Sequence, residues 1–391
     1  MSDQNYFGWL RHVINNNLNM SKKPAHVSSC RAQHSGRKRV SMTDGTLGIG
    51  IVGAGDIVRS RHMPNLEEVP DVSVVAVANR RRSTAEAFAS EFNVPNIFDD
   101  WLEVVRHPEV DIVWIGTTPY LHAPISVAAL EAGKHVFCQA RMARNLAEAR
   151  TMRAAAAAHP HLVAAICPPG HGVHGDRTMR RLLGVDRFIG TLRQARMTSF
   201  TGVAVENEDL HWRQDFDISG HNVMNVGIMV EVLQRWLGPE RTVQAMTHVH
   251  IKERRDPETR AFRPVRVPDS FTAIGELASG ADYVYQWSGL AHHDPASELW
   301  LYGDQGTLVY DLDTDSILGA TIDDAELEPI EIPSDEIYDP NVEADFIAAV
   351  RDGSGNTGLA PSFDRAYQYM EFLEAAARSS RDGRRVGIPL D

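Results

Sequence analysis

Short apolar runs alternate with amphipathic stretches through the first part of the chain. Leu47 to Val52, Val72 to Ala78, Ile112 to Gly116 and His135 to Cys138 are short apolar runs, and His161 to Cys167 adds another. Strands covered on both faces read this way. Between them, Arg59 to Leu66, Ser83 to Phe92, Pro124 to Ala132 and Leu146 to Ala158 carry apolar residues at helical spacing. Strand–helix alternation predicts right-handed crossovers and a doubly wound parallel α/β sheet over residues 46–168.

After Pro168 the rhythm changes. Thr178 to Leu183 reads as a helix, and Asn222 to Leu237 as one long helix. Extended runs then follow one another: Val243 to Ile251, Ser270 to Leu277, Asp282 to Leu290, Glu298 to Tyr302 and Gly306 to Tyr310. Strands without intervening helices predict a largely antiparallel open sheet within a second α/β domain over residues 169–391. Two helices, Val342 to Arg351 and Phe363 to Arg378, close the chain, and the last residues are placed to pack back on the first domain.

Residues 1–45 stand apart. Met1 to Val40 carries Arg11, Lys22, Lys23, Arg31, Arg37, Lys38 and Arg39 against the single acid Asp3, with no sustained apolar period. The segment is expected to be disordered, with Met42 as the working start; an organelle-targeting peptide has the same composition.

Composition narrows the function classes. With 43% hydrophobic and 23% charged residues the chain is an ordinary globular one, and no apolar stretch is long enough for a membrane span. A net charge of -13 repels phosphate backbones, so no nucleic-acid partner is expected. Cys30, Cys138 and Cys167 are too scattered for a disulfide framework or a zinc site, which points to a cytoplasmic protein. His171 and His174 lack a third ligand at suitable spacing, so no metal is expected. His292-His293-Asp294 reads as a loop face.

The first strand runs into Gly53-Ala54-Gly55-Asp56-Ile57-Val58. Glycines between a strand and a helix let the chain turn tightly and let backbone N–H groups approach a diphosphate. Gly53, Gly55, Asp56 and Ile57 are therefore candidate cofactor contacts in a Rossmann dinucleotide-binding domain, although Val58 replaces the third small residue of the fingerprint. The second strand ends in Asn79-Arg80-Arg81-Arg82 where an acid usually holds the ribose hydroxyls. Guanidinium groups suit a 2′-phosphate, so Asn79 and Arg80 favour NADP over NAD.

Ile115-Gly116-Thr117-Thr118-Pro119-Tyr120-Leu121-His122 and Ala129-Leu130-Glu131-Ala132-Gly133-Lys134-His135-Val136 carry a more specific signal. With Trp236-Leu237-Gly238-Pro239, Gly303-Asp304-Gln305-Gly306-Thr307-Leu308 and Pro361-Ser362-Phe363, the chain resembles the Gfo/Idh/MocA family of NAD(P)-dependent oxidoreductases from Leu47 onward. The resemblance implies a small polyhydroxylated or cyclic substrate and a homodimer or homotetramer. It places Thr118, Pro119 and His122 on the nicotinamide side, and Gln139 beside the cofactor.

The departures from the family pattern bear on the chemistry. A Glu-Lys-Pro run usual in the family is here Gln139-Ala140-Arg141, so its lysine position holds Ala140. An aspartate and a histidine usual on the long helix are here Asn225 and Met229. His221, four residues before Asn225, would share their helical stripe and is the candidate proton acceptor, with Asn225 positioning the hydroxyl. A capping or surface histidine satisfies the same sequence. Arg141, His211, Trp212, Arg213 and Asn222 are candidate substrate contacts. Three readings follow: a dehydrogenase or reductase acting on a hydroxyl-bearing carbon, a cofactor-retaining lyase or hydratase on sugar-like substrates, and a non-catalytic nucleotide-binding subunit.

Overall fold

The computed structural model describes residues 45–167, 173–206, 208–293, 296–337, 341–353 and 361–390. The expectations for residues 1–44, for Pro168 to Gly172 with His171, and for Asp294 lie outside them.

Six parallel strands form the first sheet: β1 (Leu47–Val52), β2 (Val72–Ala78), β3 (Asn96–Phe98), β4 (Ile112–Ile115), β5 (His135–Cys138) and β6 (Ala164–Ile166). Their order is β3-β2-β1-β4-β5-β6. Strand order reverses between β1 and β4, and a crevice opens there at the carboxyl ends of the strands. β1, β4 and β5 are apolar because helices cover both faces: Ile51, Val113, Trp114, Ile115 and Val136 are fully buried.

One of those covers comes from far along the chain. The helix Val342–Asp352 inserts Phe346 and Ile347 into an apolar cluster with Ile49, Ile51, Trp114 and Phe137. The Trp114 and Phe137 rings stack at 3.8 Å between centroids, and Phe346 meets both edge-on.

The second sheet has nine strands in the order β16-β15-β14-β13-β7-β12-β11-β8-β17. These are β7 (Leu192–Phe200), β8 (Glu240–His248), β11 (Ser270–Leu277), β12 (Asp282–Ser288), β13 (Ser297–Gly303), β14 (Gly306–Asp311), β15 (Ser316–Thr321), β16 (Glu328–Ile330) and β17 (Val386–Gly387). Every pairing is antiparallel except β7 with β12. A hairpin, β9 (Glu253–Arg255) with β10 (Phe262–Pro264), stands apart from the sheet. The helices Val226–Leu237 and Phe363–Asp382 cover one face, where Tyr283, Tyr285 and Trp287 meet Phe271 and Phe372. Met246, Ile274 and Val284 are exposed on β8, β11 and β12.

Two expectations change. The long helix begins at Val226, four residues later than its apolar spacing predicts, because Gly220 and Met224 take positive φ of 62° and 44°. β7 is an additional strand. Its buried positions Ala195, Met197 and Ser199 are small or unbranched and alternate with Arg196 and Thr198, so the apolar signal is weak.

Candidate active site

The site begins at the turn after β1. Gly53 has φ 88°, and a Cβ there would lie 2.6 Å from the Thr117 backbone nitrogen. Only glycine lets the β1 and β4 loops meet this closely. Val58, the departure from the fingerprint, is accommodated from the other side: a Cβ on Gly116 would lie 2.4 Å from Val58 Cγ2. The small residue needed for close helix–strand packing has thus moved to the end of β4.

Gly55 differs from both. Its φ is not positive, and a Cβ there would meet nothing within 4 Å. The helix opens directly after it, with Arg59 N donating to Gly55 O at 3.0 Å. The N–H groups of Asp56, Ile57 and Val58 therefore precede the first intrahelical donor, Arg59 N, and with the helix dipole they suit an anion. Asp56 and Ile57 are exposed. A diphosphate fits this open cradle.

Asn79 is committed to holding the turn. Its Oδ1 accepts from Ala54 N at 2.7 Å, and its Nδ2 donates to Thr84 Oγ1 at 3.1 Å. Arg80 is exposed and pairs with Glu258 at the tip of the β9–β10 hairpin. Arg82 is held by Glu86 and Asp99, whose hydrogen bond and charge raise its pKa.

On the other side of the crevice, Thr118 precedes the turn Pro119–Leu121. His122 is fully buried, with Nε2 2.8 Å from Thr117 O and Nδ1 2.8 Å from Arg141 O. Burial lowers its pKa, opposed by the two backbone carbonyls, and the ring sits between the β4 loop and the segment after β5.

Residues after β5 dock against the second sheet's loops. Arg141 is 7% exposed and donates from Nη2 to Met224 O. Asn222 Nδ2 donates to Ala143 O at 2.8 Å and to Ser219 O at 2.6 Å. Both are placed as fasteners of the 219–225 loop rather than as open substrate contacts. Gly220 permits the approach, since a Cβ there would lie 2.1 Å from Arg144 O.

The segment before this loop forms the opposite wall, where Phe216–Ser219 packs against Pro119–Leu121. His211 caps the turn Trp212–Gln214 by accepting from Arg213 N at 3.3 Å. Desolvation and then the Arg213 charge push its imidazole below the ordinary range. The Arg213 guanidinium lies 4.1 Å from the Trp212 ring centroid.

His221 sits outside the helical stripe of Asn225 and Met229, because the helix starts after Asn225. Its ring meets Phe216 edge-on at 5.3 Å, and Nε2 lies 3.8 Å from Glu374 Oε2. Burial lowers its pKa, opposed by the Glu374 charge. Asn225 is half-buried and its side chain caps nothing, whereas Met229 is core.

Sequence reasoning did not single out His62 or Glu343. Both are fully buried and hydrogen-bonded to each other and, through His62, to Gln139. They are 281 residues apart, so no local pattern links them. Among the described residues no group of three or more His, Cys, Asp or Glu could hold a metal, and no helix is long and apolar enough to cross a membrane.

A glycine turn at the switch point of a parallel sheet, joined in one chain to a second, mostly antiparallel sheet, is the architecture of a dinucleotide-dependent oxidoreductase. Residues 47–166 match the model of the oxidoreductase family with an NAD-binding Rossmann fold, and residues 177–309 match the GFO/IDH/MocA C-terminal domain. The chain belongs to the Gfo/Idh/MocA family and is an NAD(P)-dependent enzyme of the dehydrogenase and reductase type.

It is 30% identical over 259 residues to trans-1,2-dihydrobenzene-1,2-diol dehydrogenase of Mus musculus, covering 64% of this chain and 74% of that one. It is 27% identical over 316 residues to dTDP-3,4-didehydro-2,6-dideoxy-alpha-D-glucose 3-reductase of Streptomyces antibioticus, covering 79% and 90%. The fold matches that of a levoglucosan dehydrogenase solved with NADH and L-sorbose, at TM-score 0.75 and 23% identity over 88% of this chain and 99% of that one.

Proposed function

We propose that the enzyme moves a hydride between NADP and a hydroxyl-bearing carbon of a sugar, cyclitol or similar small hydroxy compound. The observation that carries this reading is the Phe216–Ser219 helix, within the 211–225 segment, packed on the Pro119–Leu121 turn, together with the open space at Gly55. The names of the sugar-acting relatives support the substrate class.

The dinucleotide supplies or accepts the hydride. Gly55, Asp56 and Ile57 present backbone to its diphosphate, and Arg80 offers an exposed guanidinium to the 2′-phosphate. Asn79, an uncharged amide whose oxygen already accepts from Ala54 N, supplies no carboxylate for the ribose hydroxyls. Trp212 with Arg213 provides a flat face bordered by charge. On oxidation, His221 takes the hydroxyl proton directly or through a water, and Asn225 orients the hydroxyl. Burial keeps the imidazole neutral and able to accept it.

The test is turnover with NADP across a panel of polyols and cyclitols. His221→Ala should lower kcat by about 10²–10⁴-fold; turnover close to the parent enzyme would remove His221 as the base.

Ala140, Asn225 and Met229 favour a second reading, a cofactor-retaining lyase or hydratase. Such an enzyme consumes substrate with cofactor bound throughout and no net change in nicotinamide absorbance. Steady growth or loss of that absorbance would exclude it.

We also read the protein as a cytoplasmic homodimer or homotetramer, supported by the exposed Met246, Ile274 and Val284 and by free, buried Cys138 and Cys167. A single-chain mass by light scattering would reject the oligomer, and cell fractionation tests the compartment.

A further inference from the structure

Behind the nucleotide turn, side chains from three distant parts of the sequence form a buried chain. His62, on the first crossover, is fully shielded from solvent. Its Nδ1 meets Glu343 Oε1, and its Nε2 meets the amide nitrogen of Gln139. Glu343 Oε2 also accepts from Asn65 Nδ2 at 2.8 Å. Trp114 and Phe137 hold the imidazole edge-on at 5.1 and 5.6 Å between centroids.

Protons in this chain can be assigned from its surroundings. The charged and titratable groups acting here are Glu343 and Arg61, with the nearby Cys167 thiol pushed up to about 11 by burial. Burial lowers the His62 pKa, against the pull of Glu343. Burial alone would raise Glu343, but hydrogen bonds from His62 and Asn65 hold it below the ordinary range. The Gln139 amide nitrogen facing Nε2 makes that ring nitrogen the acceptor, so the geometry sets a carboxylate against a ring with one proton. The ring's one proton goes to Nδ1, toward the carboxylate, which leaves a lone pair on Nε2. Only the NH₂ of Gln139 can satisfy that lone pair; its carbonyl would oppose it. The orientation of the Gln139 amide is therefore dictated from Glu343, and Oε1 turns away from His62.

We propose that Glu343 and His62 are positioning residues that fix the Gln139 amide so that Oε1 is presented as an acceptor to the nicotinamide half of the bound dinucleotide. Gln139 follows β5 at the carboxyl edge of the sheet, where this fold carries its ligand. The proposal rests on the cofactor reading. It also gives meaning to one departure from the family pattern: glutamine works with a neutral His62, whereas glutamate at 139 needs a second proton on the ring.

The experiment titrates NADH and NADPH by fluorescence against full-length wild type, Glu343→Gln and Gln139→Glu, across about pH 5.5–8.5. Glu343→Gln should weaken NADH binding about fivefold, with the wild-type pH profile retained. Gln139→Glu should bind within about twofold of wild type at the acid end and lose about tenfold, relative to wild type, as pH rises, because His62 must then keep an extra proton. Were Glu343→Gln to fold poorly, Gln139→Glu at its half-buried position decides alone. A Gln139→Glu profile parallel to wild type overturns the relay while wild-type binding preserves the cofactor reading. Failure of wild type to bind either dinucleotide overturns both.

Discussion

Arg80, just past β2, and Glu258 at the tip of the β9–β10 hairpin form an ion pair at 3.3 Å that joins the end of β2 to that hairpin. The hairpin is also fastened to the 209–215 segment. Arg263 pairs with Asp215 at 2.8 Å, Arg260 with Asp209 at 2.9 Å, and Leu210 N donates to Arg255 O at 2.7 Å. The guanidinium expected to choose the cofactor is thus already partnered by a carboxylate that a 2′-phosphate would displace.

Arg80→Gln should weaken NADPH about tenfold and leave NADH within about twofold, since one exposed charge-assisted contact is removed. Glu258→Gln should tighten NADPH about two- to fivefold, the scale of an exposed pair. In the Arg80→Gln background it should do nothing. Calorimetric titration of both cofactors against the four proteins checks this, and equal losses for NADH and NADPH in Arg80→Gln would end the NADP assignment.

The two glycines of the turn should fail differently. Gly53→Ala puts a methyl against the Thr117 backbone at positive φ, so it should lower stability by about 1–3 kcal/mol. Gly55→Ala meets open space. It should keep the parent melting temperature while losing cofactor affinity at least about tenfold, because its methyl stands where the diphosphate belongs. Thermal melts with and without NADPH separate the two. Unchanged binding by Gly55→Ala would mean that the cradle lies elsewhere.

Glu240 offers a stability test remote from the site. It is fully buried beside Gln234, and burial pushes its carboxyl up to about 7. The folded pKa exceeds the unfolded one, so the native state binds the extra proton. Stability is therefore greatest below the unfolded carboxyl range and falls as pH rises through about 7. Glu240→Gln should flatten this loss and raise stability at pH 8 by about 3 kcal/mol at most. Denaturant midpoints at pH 5 and pH 8 measure it, and a mutant less stable at pH 8 would show that the carboxylate is better solvated than its burial implies.

Periodicity and turn chemistry were legible where one element suffices. β1, β2, β4 and β5 read as apolar runs because both their faces are covered, and the Gly53–Gly55 turn sits between a strand and a helix. The resemblance located the β4 and β5 loops and exposed the altered positions Ala140, Asn225 and Met229. The exposed, arginine-rich β9–β10 hairpin carried no apolar signal, and polar β7 hid among charged neighbours.

By itself the sequence determined the parallel sheet, its glycine turn and the dinucleotide class of ligand, because hydrophobic period and backbone freedom are local properties. Tertiary structure alone decided that His221 leaves the helical stripe, that Val58 is matched by Gly116, and that Glu343 meets His62 from 281 residues away. Those outcomes depend on which surfaces exclude water together and which buried polar groups must find partners, and chain order does not encode either one.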